Sequence, residues 1–260
     1  MIEITEEVND ENLPFVFTPI YDAEFPALKN KDIKANLSKW GFSDDMKLLR
    51  FKSDRALDGD NEQEFVNSFF SSDSVRQYLT SMTNISVTST DQLSVDYSKL
   101  STQQTSLKMF RKLEENDIVM DCGRIRGRLE EDYEGVPIYD VLRESLYVEE
   151  SEKFEVFSAQ DRRELLFRVF MHVVTGGAAN QYEDEVDAYL TATGLIYKDL
   201  VSVKKNDSGD LTVLSSVFEI KGISNGRVFS RTHQTNFCYL SYDPQTRHVT
   251  FWYFQHRPIW

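Results

Sequence analysis

Arg247-His248-Val249-Thr250-Phe251-Trp252-Tyr253-Phe254-Gln255-His256 is the last and most aromatic of four β-rich runs that close the chain. Side chains alternate between faces along a strand, so Phe251 and Tyr253 cannot share a face with Trp252 and Phe254. Either helices cover both faces of the sheet, or one face is a docking surface rich in residues that anchor interfaces. Helix cover is the simpler reading, because the helices just upstream need a sheet to pack against. The run then reads as a two-sided core strand. The other three runs are Leu195–Lys205, Leu211–Lys221 and Val228–Leu240. Between the four stand Asn206-Asp207-Ser208-Gly209, Asn225-Gly226 and Asp243-Pro244-Gln245-Thr246, whose residue types favour tight turns. Four consecutive strands joined in this way predict an antiparallel meander.

Upstream the apolar period changes to 3.6. Ser158 with Asp161 three positions on is an N-cap signature. The following residues keep Leu165, Leu166, Val169, Phe170 and Val173 on one helical face until Thr175-Gly176-Gly177. A second helix is expected from Tyr182 to Thr193, closed by Gly194. Pro137–Tyr147 suits a helix with proline in its first turn. The N-terminal half mixes shorter elements. These are an edge strand at Phe15-Val16-Phe17, an amphipathic helix over Lys31–Trp40 carrying Ile33, Leu37 and Trp40, and a strand at Met46–Lys52. A loop follows at Asp58–Asn61, then a helical stretch over Glu64–Tyr78 broken near Ser71-Ser72-Asp73, and a short helix at Leu107–Leu113.

The fold class is therefore α+β, with N-terminal mixed helices and short strands and a C-terminal helix pair packed on an antiparallel β-meander. Residues 1–13 read as a flexible acidic N-terminus. Residues 14–260 read as a single α+β domain, with a weak sub-boundary in the Ser/Thr-rich stretch 81–105, itself a weak hairpin or a mobile connection.

The 260 residues carry 43 acidic against 29 basic side chains, a net charge of −14 with a pI near 4.8. Such a field opposes nucleic-acid backbones and anionic lipid. No run of about 18 apolar residues occurs, so no membrane span is expected. The acidic start Met1–Glu7 is unlike a signal peptide, which implies a protein kept in the cytosol. Cys122 and Cys238 are too few and too far apart for a disulfide framework or a zinc cluster, and both read as buried thiols.

Chemistry-bearing patterns are sparse. His233 with Asp243 and His248 is the one set that suggests a two-histidine, one-carboxylate iron site, although the chain holds no His-x-Asp or His-x-Glu pair. Gly176-Gly177-Ala178-Ala179 lacks the Gly-Lys-Ser/Thr ending of a phosphate loop and lies between helices, which marks a helix–helix corner. Arg124, Arg126 and Arg128 stand beside Glu130, Glu131 and Asp132, a pattern of local charge balance. Glu149-Glu150 and Glu183-Asp184-Glu185 read as solvated faces.

Several stretches, in their order and spacing, resemble the cilia- and flagella-associated protein 300 family. They are Glu115–Val119, Asp121-Cys-Gly123, Val148–Ser158, Glu164–Phe167, Gly176-Gly-Ala178, Gln181–Asp184, Leu195–Val203, Ser215–Phe218, and Asp243-Pro244 with Arg247-His248. The resemblance spans residues 107–250 and is looser upstream. It implies a non-catalytic adaptor or scaffold of motile cilia, found in the cytoplasm and the ciliary axoneme. Such a protein would act in assembly and intraflagellar-transport-dependent delivery of outer and inner dynein arms. The implied partners are dynein-arm assembly factors, dynein-arm cargo and the transport machinery, with no nucleic acid, membrane, cofactor or metal. The candidate docking residues are Gln181, Tyr182, Glu183, Asp184, Tyr197, Lys198 and Asp199, which combine aromatic anchors with a charged rim. The alternatives are an iron/2-oxoglutarate-type oxygenase and a holdase-like chaperone with a large exposed apolar patch.

Overall fold

A computed structural model describes residues 14–42 and 45–258; the acidic segment 1–13 and Trp260 lie outside them. The chain builds a six-stranded antiparallel sheet from β1 (Phe17–Ile20), β2 (Lys47–Ser53), β3 (Val95–Leu100), β4 (Ser216–Ile223), β5 (Phe237–Asp243) and β6 (His248–Phe254). Their spatial order is β1-β2-β6-β5-β4-β3. The expected meander is thus real in β4, β5 and β6 and forms the middle of the sheet. The N-terminal half supplies β1 and β2 on one side and β3 on the other.

Helices cover both faces. On one lie α1 (Lys31–Lys39), α4 (Val141–Tyr147), α5 (Leu165–Thr175) and α6 (Asp187–Leu200), which share a core with Phe237, Tyr239, Trp252 and Phe254. On the other, α2 (Glu62–Ser71) and α3 (Asp73–Met82) pack against Leu240, Phe251 and Tyr253. The aromatic run is a two-sided core strand, with all four of its rings at most 2% exposed.

α5 lies so deep that ten of its eleven residues are buried. Among them is His172, whose Nε2 lies 2.7 Å from the Tyr239 hydroxyl. Burial first, then the nearby Arg168, holds this imidazole well below its ordinary 6.5. Below that pH the unfolded chain binds a proton that the folded chain excludes. The stability is complete above 6.5 and falls as the pH drops. Urea unfolding should give a smaller free energy at about pH 5.5 than at about pH 7.5, with a shallower dependence in His172→Gln. Equal wild-type values at the two pH values would contradict the assignment.

Several element boundaries differ from the sequence reading. The second helix of the pair begins at Asp187 rather than Tyr182 and runs through Gly194 to Leu200. Its buried positions Tyr189, Ala192, Thr193, Ile196, Tyr197 and Leu200 keep one helical face across that glycine. Gly194 has no positive φ, and a Cβ there would meet Leu107 Cδ1 at 3.6 Å, an ordinary van der Waals contact, so the glycine neither caps the helix nor answers a steric demand. Of the expected Leu195–Lys205 strand only Val203–Lys205 remains, in a small ribbon with Leu211–Val213. Pro137 sits in a strand, Val136–Asp140, paired with Gly127–Tyr133 around Glu134 and Gly135, both at positive φ. The helix starts only after Asp140, whose carboxylate accepts from the Arg143 N–H at 2.7 Å.

The capping box at Ser158 and Asp161 is present, but it caps the single turn Ala159–Arg162. The edge strand is shifted two residues onto Pro19, which an edge tolerates because among the described residues that position has no ladder partner to serve on its outer side. Within 81–105 no hairpin forms. Ser86–Val87 pairs with Gly226–Arg227 and β3 pairs with β4. Cys238 is buried, whereas Cys122 is exposed.

Candidate functional site

The Gly176-Gly177 corner positions the first group of candidate residues. Gly177 N–H donates to Trp40 O at 2.8 Å and Gln181 N–H to Lys39 O at 2.9 Å. A Cβ on Gly177 would collide with the Gly41 carbonyl, so the backbone approach requires glycine. This is the helix–helix corner the sequence suggested. It seats Glu183, whose carboxylate accepts from Lys39 Nζ at 2.7 Å and Trp40 Nε1 at 2.9 Å. Asp184 O accepts from Ile125 N at 2.8 Å. Tyr182 is 40% exposed, and its ring lies 3.4 Å from that of Tyr139, centroid to centroid.

Beneath the two tyrosines lies Arg143, only 1% exposed. Its guanidinium carbon is 4.5 Å from the Tyr139 centroid and 4.7 Å from that of Tyr182. It donates to the Asp140 carboxylate, to Val174 O and to the Tyr189 hydroxyl. Burial works to lower its pKa, but Asp140 and then the tyrosines outweigh it and keep the guanidinium charged. This cluster was invisible in the sequence. The one signal was a cation at the third position of an otherwise apolar helical start, Val141-Leu142-Arg143.

The second group behaves differently. Tyr197 is 6% exposed and its hydroxyl donates to Gln104 O at 2.8 Å. Asp199 is buried and accepts from Ala27 N at 2.9 Å. Its pKa is raised by burial against the opposing pull of that bond and of Arg50. Both are core residues, and Lys198 between them is exposed. The two groups lie at opposite ends of α6, about 18 Å apart at 1.5 Å per residue, and do not form one face.

His233, Asp243 and His248 are not brought together. His233 stacks on His256 with centroids 3.8 Å apart, and Thr235 bonds both rings. Asp243 lies at the far end of β5, roughly 20 Å away along the strand, bound to Ser202 and Thr246 and in register with His248. Among the described residues no group of three His, Cys, Asp or Glu side chains is placed to hold a metal. The expected local balance holds in part: Arg128 pairs with Glu131 and also Glu144, Arg126 pairs with the more distant Asp117, and Arg124 forms no ion pair among the described residues.

A surface feature the sequence did not reveal adjoins Lys198. A groove of about 500 Å³ runs between Leu107, Leu166, α6 and the Val203–Val213 ribbon. Its ribbon wall presents Val203 and Leu211, each 45% exposed.

The model of one family, described as cilia- and flagella-associated protein 300, matches residues 14–254. The chain belongs to that family. A cilia- and flagella-associated protein 300 from Paramecium tetraurelia is 31% identical over 263 residues, covering 100% of this chain and 99% of the relative. Another from Chlamydomonas reinhardtii is 31% identical over 254 residues, covering 94% and 99%. No solved structure matches. The family match extends the resemblance over residues 107–250 through the N-terminal half, as the interleaved sheet requires. Membership in cilia- and flagella-associated protein 300 ties the chain to cilia and flagella.

Proposed function

We propose that the chain is a non-catalytic adaptor of motile cilia, acting in the assembly and intraflagellar-transport-dependent delivery of outer and inner dynein arms. The observation that carries this reading is the family match over residues 14–254, nearly the whole chain. An adaptor needs a rigid body that presents surface, and a sheet buried on both faces supplies one. In this reading it engages dynein-arm assembly factors and dynein-arm cargo in the cytoplasm and travels to the axoneme with the transport machinery.

The test is depletion of the protein in a ciliated cell, followed by electron microscopy of axonemal cross-sections. Loss of both arm sets, with return on re-expression, is the expected result. Axonemes with both arms at normal density would overturn the proposal.

A further inference from the structure

The groove beside α6 has chemistry that points to a partner. The ribbon register Val203↔Val213, Lys204↔Thr212 and Lys205↔Leu211 places Val203, Lys205, Leu211 and Val213 on one face. Val203 and Leu211 line the groove, so Lys205 is on the groove side with them. Lys198 lines it from α6. Elsewhere in this acidic chain Lys39, Lys99 and Lys112 are held by carboxylates. Lys198 and Lys205 form no ion pair among the described residues.

The backbone adds a third element. Asn206 N–H donates to Asp210 O and Leu214 N–H to Ser202 O. Antiparallel pairs alternate between bonded and unbonded, so these bonds turn the amide groups of Val203, Lys205, Leu211 and Val213 outward, away from the partner strand. Among the described residues the ribbon pairs with no further strand.

We infer that this groove is the docking site for an extended aliphatic segment flanked by carboxylates, contributed by another protein. Its aliphatic side chains lie against Leu107, Leu166, Val203 and Leu211. Its acids meet Lys198 and Lys205, and its backbone pairs with an outward-facing ribbon edge. Asp207 and Asp210 at the ribbon tip turn the partner's acids toward the α6 side. The net charge of −14 repels acidic segments elsewhere on the surface, so the two lysines confer selectivity as well as attraction. The inference rests on the adaptor reading and names the chemistry of its partner.

The test uses the full chain as bait for a displayed random peptide library, with recovered peptides measured by fluorescence anisotropy. Recovered peptides should alternate Leu, Ile or Val with Asp or Glu. Val203→Asp/Leu211→Asp should weaken them at least tenfold. Those positions are half exposed, so the variant is expected to fold, which its melting curve checks. A second variant, Lys198→Glu/Lys205→Glu, should lose the acidic peptides at least tenfold and gain affinity for their lysine-substituted counterparts. Peptides without acids, or equal affinity for both variants and wild type, would overturn the inference. So would sedimentation showing a wild-type dimer that Val203→Asp/Leu211→Asp dissociates, because the occupant would then be a second copy. Arm assembly is scored separately in depleted cells. A chain that restores both arm sets yet binds no such peptide sinks the groove and leaves the adaptor reading standing. Arms that persist on depletion sink the adaptor reading whatever the groove binds.

Discussion

Replacing Arg143 with alanine is expected to destabilise the folded chain by about 3–5 kcal/mol, because Asp140 would be left buried without its counter-charge. Asp140 is only 5% exposed, and the same arginine satisfies Val174 O and the Tyr189 hydroxyl. For a chain of this size the melting temperature should fall on the order of 10 °C. Arg143→Lys should recover only part of this, since an ammonium cannot lie flat beneath the Tyr139 and Tyr182 rings or donate as a planar fork. Asp140→Asn with Arg143→Ala should cost less than the two single losses added together, because the pair is coupled. Thermal unfolding of the wild type and the four variants reads all of this. A change under about 1 kcal/mol for Arg143→Ala would mean that the arginine is not the hub of the corner.

The second large effect concerns the aromatic strand. Trp252→Ala and Phe251→Ala should each cost about 3–5 kcal/mol, although adjacent residues face opposite sides. Trp252 packs with ring centroids 4.2 Å from Phe237 and 5.4 Å from Tyr239, while Phe251 stacks at 6.3 Å on Phe69 of α2. A sheet with one solvated face would give alternating costs, large then within about 0.5 kcal/mol of zero. The expectation here is no alternation from residue 251 to residue 254. Trp252→Phe should be far milder than the alanine change, since the buried indole N–H has no hydrogen-bond partner among the described residues to lose. Denaturant titration of the alanine series decides the matter, and one cheap position among the four would break the two-sided packing.

The two-sided strand was legible because its pattern conflicts with any one-sided sheet, and only cover on both faces removes the conflict. The helix pair was legible by its period, but its boundaries were not. Gly194 carries the sequence signature of a helix end, yet the burial period on either side of it continues without a break. Burial of Ile196, Tyr197 and Leu200 beyond the glycine carries the helix on, and the core they join is assembled from segments far away in sequence. Pro137 was ambiguous for a related reason, since its fixed φ suits an edge strand as well as a first helical turn.

The candidate docking residues divide along the same line. Glu183 and Tyr182 were found near a surface corner, but Tyr197 and Asp199 belong to the interior. Their side chains meet Gln104 and Ala27, partners that no local spacing announces. Val203 and Leu211 escaped notice because each sat inside a run read as a longer strand, where an aliphatic residue signals core.

The sheet order has a consequence for how the chain is made. β2 reaches its register with β6 only when a strand encoded about 200 residues downstream has been synthesised. Until then Leu49 and Phe51 have only the four-residue β1 beside them, and the helices on both sides lack the surface between them. Residues 248–254 are therefore the ones that let residues 47–53, made about 200 positions earlier, complete their fold. A message truncated anywhere before residue 254 would yield a chain missing the middle of its sheet rather than its edge. Such a product is expected to be cleared or aggregated, with no partly active remnant.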